Sequence, residues 1–271
     1  MPYLNKNGLD YYMLAAFCLV WGMTGSIISL LLSRWIAKRA YGVQILDLNT
    51  MIPWERMVLE QVYEASKKAG IKRMPQVGIY QANEINAFAT GPTKNRALVA
   101  LSSGLVQTAN AEQIHGVVGH EIAHIANGDM VTMTLLQGLV NSFVLFLSRA
   151  IAHLIVVLIK RDNTTFGYII FAVITFVLEM ILMVLGSLVV AHFSRMREYR
   201  ADKYGSELVG KYKVMEALKM IQLNAQVKDP YIQKTAMAFK NLQISHTESK
   251  WASLFASHPS LDRRLDKVRK L

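Results

Sequence analysis

The sequence predicts an α+β membrane protein that is mainly helical, with about three transmembrane helices and a small mixed sheet outside the membrane. Three observations support this fold class. Three apolar runs are each long enough to cross a bilayer. Short β-type runs bounded by glycine and proline lie between the first and second of them. Amphipathic helical patterns flank those β-type runs on both sides.

Composition limits the possible partners. The chain has 271 residues, 52% of them hydrophobic, and a net charge of +11. Segment 194–271 holds 16 Lys/Arg against 8 Asp/Glu, whereas segment 36–130 holds 9 against 8. No aromatic-basic interleaving or recognition motif indicates nucleic acid, so the basic excess is interpreted as a cytoplasmic marker. Cys18 is the only cysteine, which excludes an intrachain disulfide and a thiolate metal cluster.

The first apolar run extends from Tyr11 to Leu32. Tyr11 and Tyr12 lie at its start, and the basic stretch 33–39 with Trp35 follows it, as in interfacial anchors. A cleaved signal peptide is the alternative, but the run is too long, the positive charge follows it and no small-x-small site ends it. The pattern favours a retained span within residues 1–35, with its C-terminal end in the cytoplasm.

The region after this span is predicted to be water-soluble. Apolar spacing predicts a helix over Asp47–Gly70, with Met57, Leu59, Val62 and Ala65 on its buried side. Residues 77–80 and 97–101 are predicted strands, and 85–89 is a short extended piece before the Gly91-Pro92 turn. Together they predict a small sheet beside the helix that follows.

That next helix carries the main chemical signal, His120-Glu121-Ile122-Ala123-His124. Histidines four residues apart on a helix share one face, where both can ligate one zinc ion, and Glu121 lies close enough to take a proton from a metal-bound water. Asn110 and Gln113 predict a capping box, and Asn127-Gly128 predicts the helix end. Such a pentad also arises by chance in about one chain in thirty, so a third ligand is needed to support the interpretation.

Residues 135–159 and 167–191 are the other apolar runs, joined by the polar segment 160–165. They predict an antiparallel transmembrane hairpin, with buried helices of a soluble protein as the alternative. Arg149 and Glu179 fall at nearly equal depth, so we expect an ion pair that holds the hairpin together, with a role in orienting the site as the alternative. His153 and His192 have no helical partner at ligand spacing.

Glu198 and Asp202 follow the last apolar run and share a helical face. Two histidines and a glutamate would leave a fourth zinc position open for water, as in hydrolytic sites. Asp202 could then accept the free ring N–H of a ligating histidine. An ordinary charged helix on a solvated face is the alternative.

Taken together, these stretches resemble the HtpX family of membrane zinc endopeptidases, which are related to the CAAX prenyl endopeptidases. The resemblance rests on Glu84–Gly91, His120–Met130, Ser194–Asp202 and Ser257–Arg264, which occur in the family's order. Members commonly begin with two spans, whereas one is expected here. Either a first span is missing from this sequence or the N-terminus faces outward.

The resemblance implies a gluzincin-like catalytic core and one zinc ion per chain. His120, His124 and Glu198 would ligate zinc, Glu121 would be the general base and Asp202 would support the metal ligands. The strand with Asn86, Ala87 and Phe88 would hold a peptide substrate by strand addition. His258 and Arg264 would return to the site, where one of these cationic side chains could stabilise the oxyanion.

The implied organisation is an N-terminal span (1–35), a cytoplasmic core in two parts (36–130 and 194–271) and a transmembrane hairpin (131–193). The implied function is stress-related quality control at the bacterial inner membrane, with membrane proteins or peptides as substrates. A catalytically idle scaffold or regulatory subunit, a dedicated processing protease and a metal transporter are the alternatives. Oligomeric state is not predicted.

Overall fold

The computed structural model describes residues 4–5, 8–159, 165–227, 256 and 258–271. The chain forms two compact units. One combines Met1–Leu30 with Thr132–Phe193, and the other combines Leu31–Val131 with Ser194–Leu271. They are called the apolar unit and the mixed unit below.

Long helices build the apolar unit. Helix α1 covers Tyr11–Tyr41, α5 covers Asp129–Leu158 and α6 covers Thr165–Val209. Within the described residues, these three helices are long and apolar enough to cross a membrane. Helices α1 and α6 contain their predicted apolar runs and extend beyond them, because polar residues such as Arg, Lys and Glu continue a helix well. Helix α5 begins six residues before its predicted run and ends one residue before the end of that run. A short hairpin of β1 (Leu4–Asn5) and β2 (Gly8–Leu9) precedes α1.

Small residues allow close helix packing in the apolar unit. A Cβ atom on Gly22 would lie 2.6 Å from the backbone nitrogen of Ser142, so α1 and α5 approach closely there. Arg149 Nη1 of α5 lies 2.6 Å from Glu179 Oε1 of α6, with the side chains 19% and 26% exposed. The two charges thus form a hydrogen-bonded ion pair between the helices.

A four-stranded sheet organises the mixed unit. Its strands are β3 (Gln44–Ile45), β4 (Gln76–Tyr80), β5 (Ala87–Thr90) and β6 (Leu98–Ser102), in the order β3-β4-β6-β5. The pair β4–β6 is parallel and the other two pairs are antiparallel, which gives the expected mixed sheet. The two-residue strand β3 was not predicted, because so short a segment has no detectable alternation.

Further helices complete the mixed unit. They are α2 (Pro53–Lys68), α3 (Ser103–Thr108), α4 (Ala111–Asn127), α7 (Lys211–Val227) and α8 (Leu261–Arg269). Buried side chains of the sheet, α2, α4 and α7 form one hydrophobic core. The helix expected over residues 47–70 begins six residues later, at Pro53, because proline is favoured at the first helical position. Its residues Leu59, Val62 and Ala65 are buried, whereas Met57 is partly buried against the core.

Candidate metal centre

Helix α4 is defined by local signals at both ends. The Asn110 side chain accepts from the backbone of Gln113, and the Gln113 side chain accepts from the backbone of Asn110, which forms the capping box. The helix ends at Asn127, where Gly128 adopts φ +72°, a left-handed conformation that glycine tolerates. His120 and His124 therefore lie on a rigid helix, one turn apart.

Neighbouring helices press closely against α4. A Cβ atom on Gly116 would lie 2.6 Å from the backbone carbonyl carbon of Lys213 in α7, and one on Gly119 would lie 2.5 Å from Val209 in α6. The missing side chains let α6 and α7 approach the metal-site helix. This approach brings the part of α6 that carries Glu198 next to the two histidines.

His120, His124 and Glu198 converge, with one ligand atom of each within 4.8 Å of the others. Nε2 of His120 is 3.5 Å from Glu198 Oε2, Nε2 of His124 is 3.4 Å from Oε1, and the two Nε2 atoms are 3.1 Å apart. Ligands at about 2.0–2.1 Å from a tetrahedral zinc ion are separated by about 3.4 Å. The donor types and their spacing therefore fit a divalent ion such as zinc.

Each histidine is oriented by a buried carboxylate. His120 Nδ1 lies 2.9 Å from Asp202 Oδ1, and His124 Nδ1 lies 2.7 Å from Asp129 Oδ2. When Nδ1–H donates to the carboxylate, the lone pair of Nε2 faces the ligand cluster. Both imidazoles are thereby held in the tautomer that metal binding needs.

Asp129 was not among the side chains that the sequence predicted for the site. This side chain is only 1% exposed, and Arg200 Nη2 lies 3.4 Å from its Oδ1. One feature of the sequence could have indicated this role for Asp129, namely its position directly after Gly128 at the end of the helix. A turn at that point brings the chain back towards His124. Carboxylates are also common in the first turn of a helix, which is why the signal was not specific.

Arg264 and His258 both reach Glu198. Arg264 donates from Nε to Asp202 Oδ2 over 2.8 Å and from Nη2 to Asp202 Oδ1 over 2.7 Å, and its Nη1 is 3.3 Å from Glu198 Oε2. His258 Nδ1 lies 3.1 Å from the same Oε2 atom, and its side chain is 61% exposed. Arg264 is thus buried and bound to two carboxylates, whereas His258 is open to solvent.

Charge complementarity raises the pKa values of the histidines. Burial alone lowers the pKa of His120, but its hydrogen bonds with Asp202 and Glu198 outweigh burial and raise the pKa to about 9. Burial also lowers the pKa of His124, but its hydrogen bonds with Asp129 and Glu198 outweigh burial and raise that pKa above its ordinary value. A metal ion competes with these protons, so metal binding is coupled to proton release.

A cavity of about 330 Å³ opens onto the cluster. His120, Glu121, Glu198 and His258 line it, and Ile85, Asn86 and Ala87 line the same cavity from the side of the sheet. The structure records no hydrogen bond that the Glu121 carboxylate accepts from another described residue.

Phe88 is placed differently from its neighbours. Its ring packs against Tyr41 and Tyr80, with centroid distances of 5.2 and 5.5 Å, and is absent from the cavity lining. Successive side chains of a strand point to opposite faces, so Ala87 faces the cavity and Phe88 faces away. The backbone of β5 remains at the sheet edge, next to α4.

Two features define this protein as a membrane metalloprotease. It has apolar helices of membrane-spanning length, and the two histidines of a His-Glu-x-x-His helix meet a glutamate from a second helix. Peptidase family M48 matches residues 54–271. The protease HtpX homologue of Bacillus licheniformis is 45% identical over 99% of this chain and 88% of its own length. Protease HtpX of Chromohalobacter salexigens is 42% identical over 97% of this chain and 87% of its own length. The chain belongs to peptidase family M48 and, within it, to the HtpX proteases.

The fold is also that of a solved structure. The crystal structure of S. mikatae Ste24p superposes with a TM-score of 0.66 at 18% identity. The superposition covers 94% of this chain but 58% of Ste24p, so the chain spans little more than half the length of that protein. The similarity shows a shared fold, and it confirms the predicted combination of long helices with a small mixed sheet.

Proposed function

We propose that this protein is a zinc-dependent endopeptidase that hydrolyses peptide bonds of membrane proteins, misfolded ones included. The observation that carries the proposal is the convergence of His120, His124 and Glu198 in a cavity that is also lined by Glu121, whose carboxylate has no hydrogen-bond partner among the described residues. An idle scaffold would have no need for a complete ligand set beside a carboxylate without a hydrogen bond among the described residues.

Each residue of the cluster has a task in the proposed reaction. His120, His124 and Glu198 would hold the zinc ion, which when bound would supply the Lewis acidity that lowers the pKa of a water molecule and polarises a carbonyl group. Glu121 takes the proton of the attacking water and passes it to the departing amine. No covalent bond to the protein forms.

His258 is the better candidate for stabilising the oxyanion. Arg264 is held by Asp202 and Glu198, so its charge is already engaged and its guanidinium is buried. His258 is exposed and lines the cavity, where an N–H group can reach a developing negative charge. In this assignment Arg264 acts as a positioning residue, because it holds the carboxylate that orients His120.

The edge strand β5 is the proposed docking strand for substrate. One side of β5 pairs with β6, and its other side pairs with no strand of the described residues, so it can pair with an extended peptide. Asn86 and Ala87 contribute to the cavity, whereas Phe88 supports the strand from behind. Main-chain pairing accepts many sequences, which suits substrates that share misfolding and not a motif.

The proposed location is the inner membrane of a bacterium, with the site on the cytoplasmic side. In this arrangement residues 1–35 and 131–193 lie in the membrane, and 36–130 and 194–271 form the cytoplasmic core. The basic excess in 194–271 supports that orientation. Substrates would then be reached through their cytosolic segments.

Detergent-purified full-length protein tests the proposal by metal analysis and casein cleavage, each with and without chelator. Wild-type protein should contain one zinc per chain and lose cleavage on chelation. Glu121→Gln should keep zinc and lose cleavage, and His124→Ala should lose both. Cleavage by a zinc-loaded Glu121→Gln protein would contradict the assignment of the general base.

A further inference from the structure

A cluster of three arginines, called the arginine corner below, lies at the end of the sheet where the central strands β4 and β6 begin. Arg34 comes from α1, Arg73 from the segment before β4, and Arg96 from the 3₁₀ turn Lys94–Arg96 before β6. Arg73 and Arg96 are exposed, and Arg34 is half-buried. This arginine corner is separate from the metal centre, because none of its members lines the cavity there.

Hydrogen bonds join the three segments that carry these side chains. Arg34 donates from Nη2 to the side-chain oxygen of Gln76, the first residue of β4. The Gln76 backbone donates to the carbonyl of Ala97, which directly follows the third arginine, over 3.0 Å. The backbone of Arg73 donates to Asn95 Oδ1, directly before that arginine, over 3.3 Å. The corner is therefore a built structure with three guanidinium groups on it.

The corner carries positive charge without compensation. In the described part of the chain, no Asp or Glu oxygen lies within 4.0 Å of the guanidinium nitrogens of Arg34, Arg73 or Arg96. Arg34 Nε is buried and has no hydrogen-bond partner among the residues that the structure describes. By contrast, Arg149 and Arg264 each have a carboxylate partner. Unpaired guanidinium groups repel one another, and a phosphate group relieves that repulsion through bidentate hydrogen bonds.

Helix α1 indicates where such a phosphate would lie. Arg34 follows the apolar run by two residues, which is about 3 Å along a helix. Its neighbours Trp35 and Ile36 are 64% and 40% exposed. An exposed tryptophan beside arginine at the end of a membrane span is typical of the headgroup layer. The anions concentrated at that depth are lipid phosphates.

We propose that Arg34, Arg73 and Arg96 form a binding site for the phosphate of an anionic phospholipid headgroup. Gln76 orients Arg34 for this contact, and Trp35 and Ile36 pack against the upper acyl chain. The bound lipid ties the sheet, which has β5 as one edge strand, to the headgroup layer of the membrane.

Native mass spectrometry of the detergent-purified full-length protein tests the site, with phosphatidylglycerol and phosphatidylcholine titrated separately. The test variant is R34Q/R73Q/R96Q. The matched control is K203Q/R263Q/K270Q, which removes the same charge at exposed positions on α6 and α8 and beyond the end of α8. Each basic residue beside an anionic headgroup adds about fivefold in affinity.

The wild-type protein should bind phosphatidylglycerol at least about tenfold more tightly than phosphatidylcholine. The test variant should lose that preference, and the control variant should keep it. Inorganic phosphate at equal concentration should not displace the lipid. If R34Q/R73Q/R96Q keeps the preference, if the control loses it equally, or if free phosphate displaces the lipid, the proposal fails. Because Arg34 is half-buried, R73Q/R96Q should lose most of the preference even if the triple variant does not fold.

Discussion

Asp129→Asn tests whether the carboxylate at the start of α5 supports the metal centre. The Asp129 side chain is 1% exposed and accepts a 2.7 Å hydrogen bond from His124 Nδ1. Replacing such an outer partner of a ligating histidine costs about 10–100-fold in metal affinity. An asparagine oxygen can still accept the bond but carries no full charge, and bonds to charged acceptors are about twice as strong.

We therefore expect the zinc Kd to rise about tenfold for Asp129→Asn and about a hundredfold for Asp129→Ala, which removes the acceptor altogether. A tenfold change corresponds to about 1.4 kcal/mol. Both variants also lose a negative charge at the first residue of α5, which stabilises that helix by about 0.3–1 kcal/mol. Melting temperature with saturating zinc separates this stability loss from the change in affinity.

The assay is competition for zinc with a chromophoric chelator, on detergent-purified full-length protein. Asp266→Asn is the matched control, because this acid is 66% exposed and its partner Arg269 is 3.8 Å away on the same helix. Its zinc Kd should equal that of the wild type. An Asp129→Asn protein that binds zinc within about twofold of the wild type would refute the role given to the contact with His124.

Three further predictions concern stability. Burial and the neighbouring Lys213 lower the pKa of His115 below its ordinary value of 6.5, so the fold favours the neutral ring. The preference for the neutral ring stabilises the fold above pH 6.5, and this stability declines as pH falls towards the lowered pKa. His115→Gln removes the titrating ring, so its melting temperature should drop less than that of the wild type between about pH 7.5 and about pH 5.5. Phe88→Ala should cost about 3 kcal/mol or less, measured as a lower melting temperature, and should raise the KM for casein because β5 loses its support. Arg149→Leu should reduce the melting temperature more than the double variant R149L/E179L, because the single change leaves a carboxylate at membrane depth without its partner; equal effects would show that the ion pair is not the cause.

Local features of the fold could be predicted from the sequence. The capping box of α4 and its end at Gly128 depend on neighbouring residues only, and both were expected at their observed positions. The apolar runs were also expected, because membrane-length hydrophobicity is a property of one continuous segment. The positions at which the helices end beyond those runs were not predicted, since solvated polar residues neither require nor forbid another helical turn.

In the candidate site, too, local features were predicted from the sequence and contacts between distant residues were not. The i, i+4 spacing of His120 and His124 is a helical property, and Glu198 was a candidate ligand from its place after the last apolar run. Contacts between different helices and strands were harder to predict from the sequence. The sequence offered Phe88 together with Asn86 and Ala87 as one strand, but only the pairing of β5 with β6 decides which side chains face the cavity.

The amino-acid sequence by itself determined the long apolar helices, the rigid helix that carries two histidines and the family to which the chain belongs. Only the tertiary structure decided that Asp129 orients His124, that Arg264 is bound to two carboxylates and that three arginines meet at one corner of the sheet. The physical reason is the separation along the chain of the residues that interact. Helix caps and hydrophobic runs depend on residues within a few positions of each other, whereas these contacts depend on how distant segments pack, which no local pattern encodes.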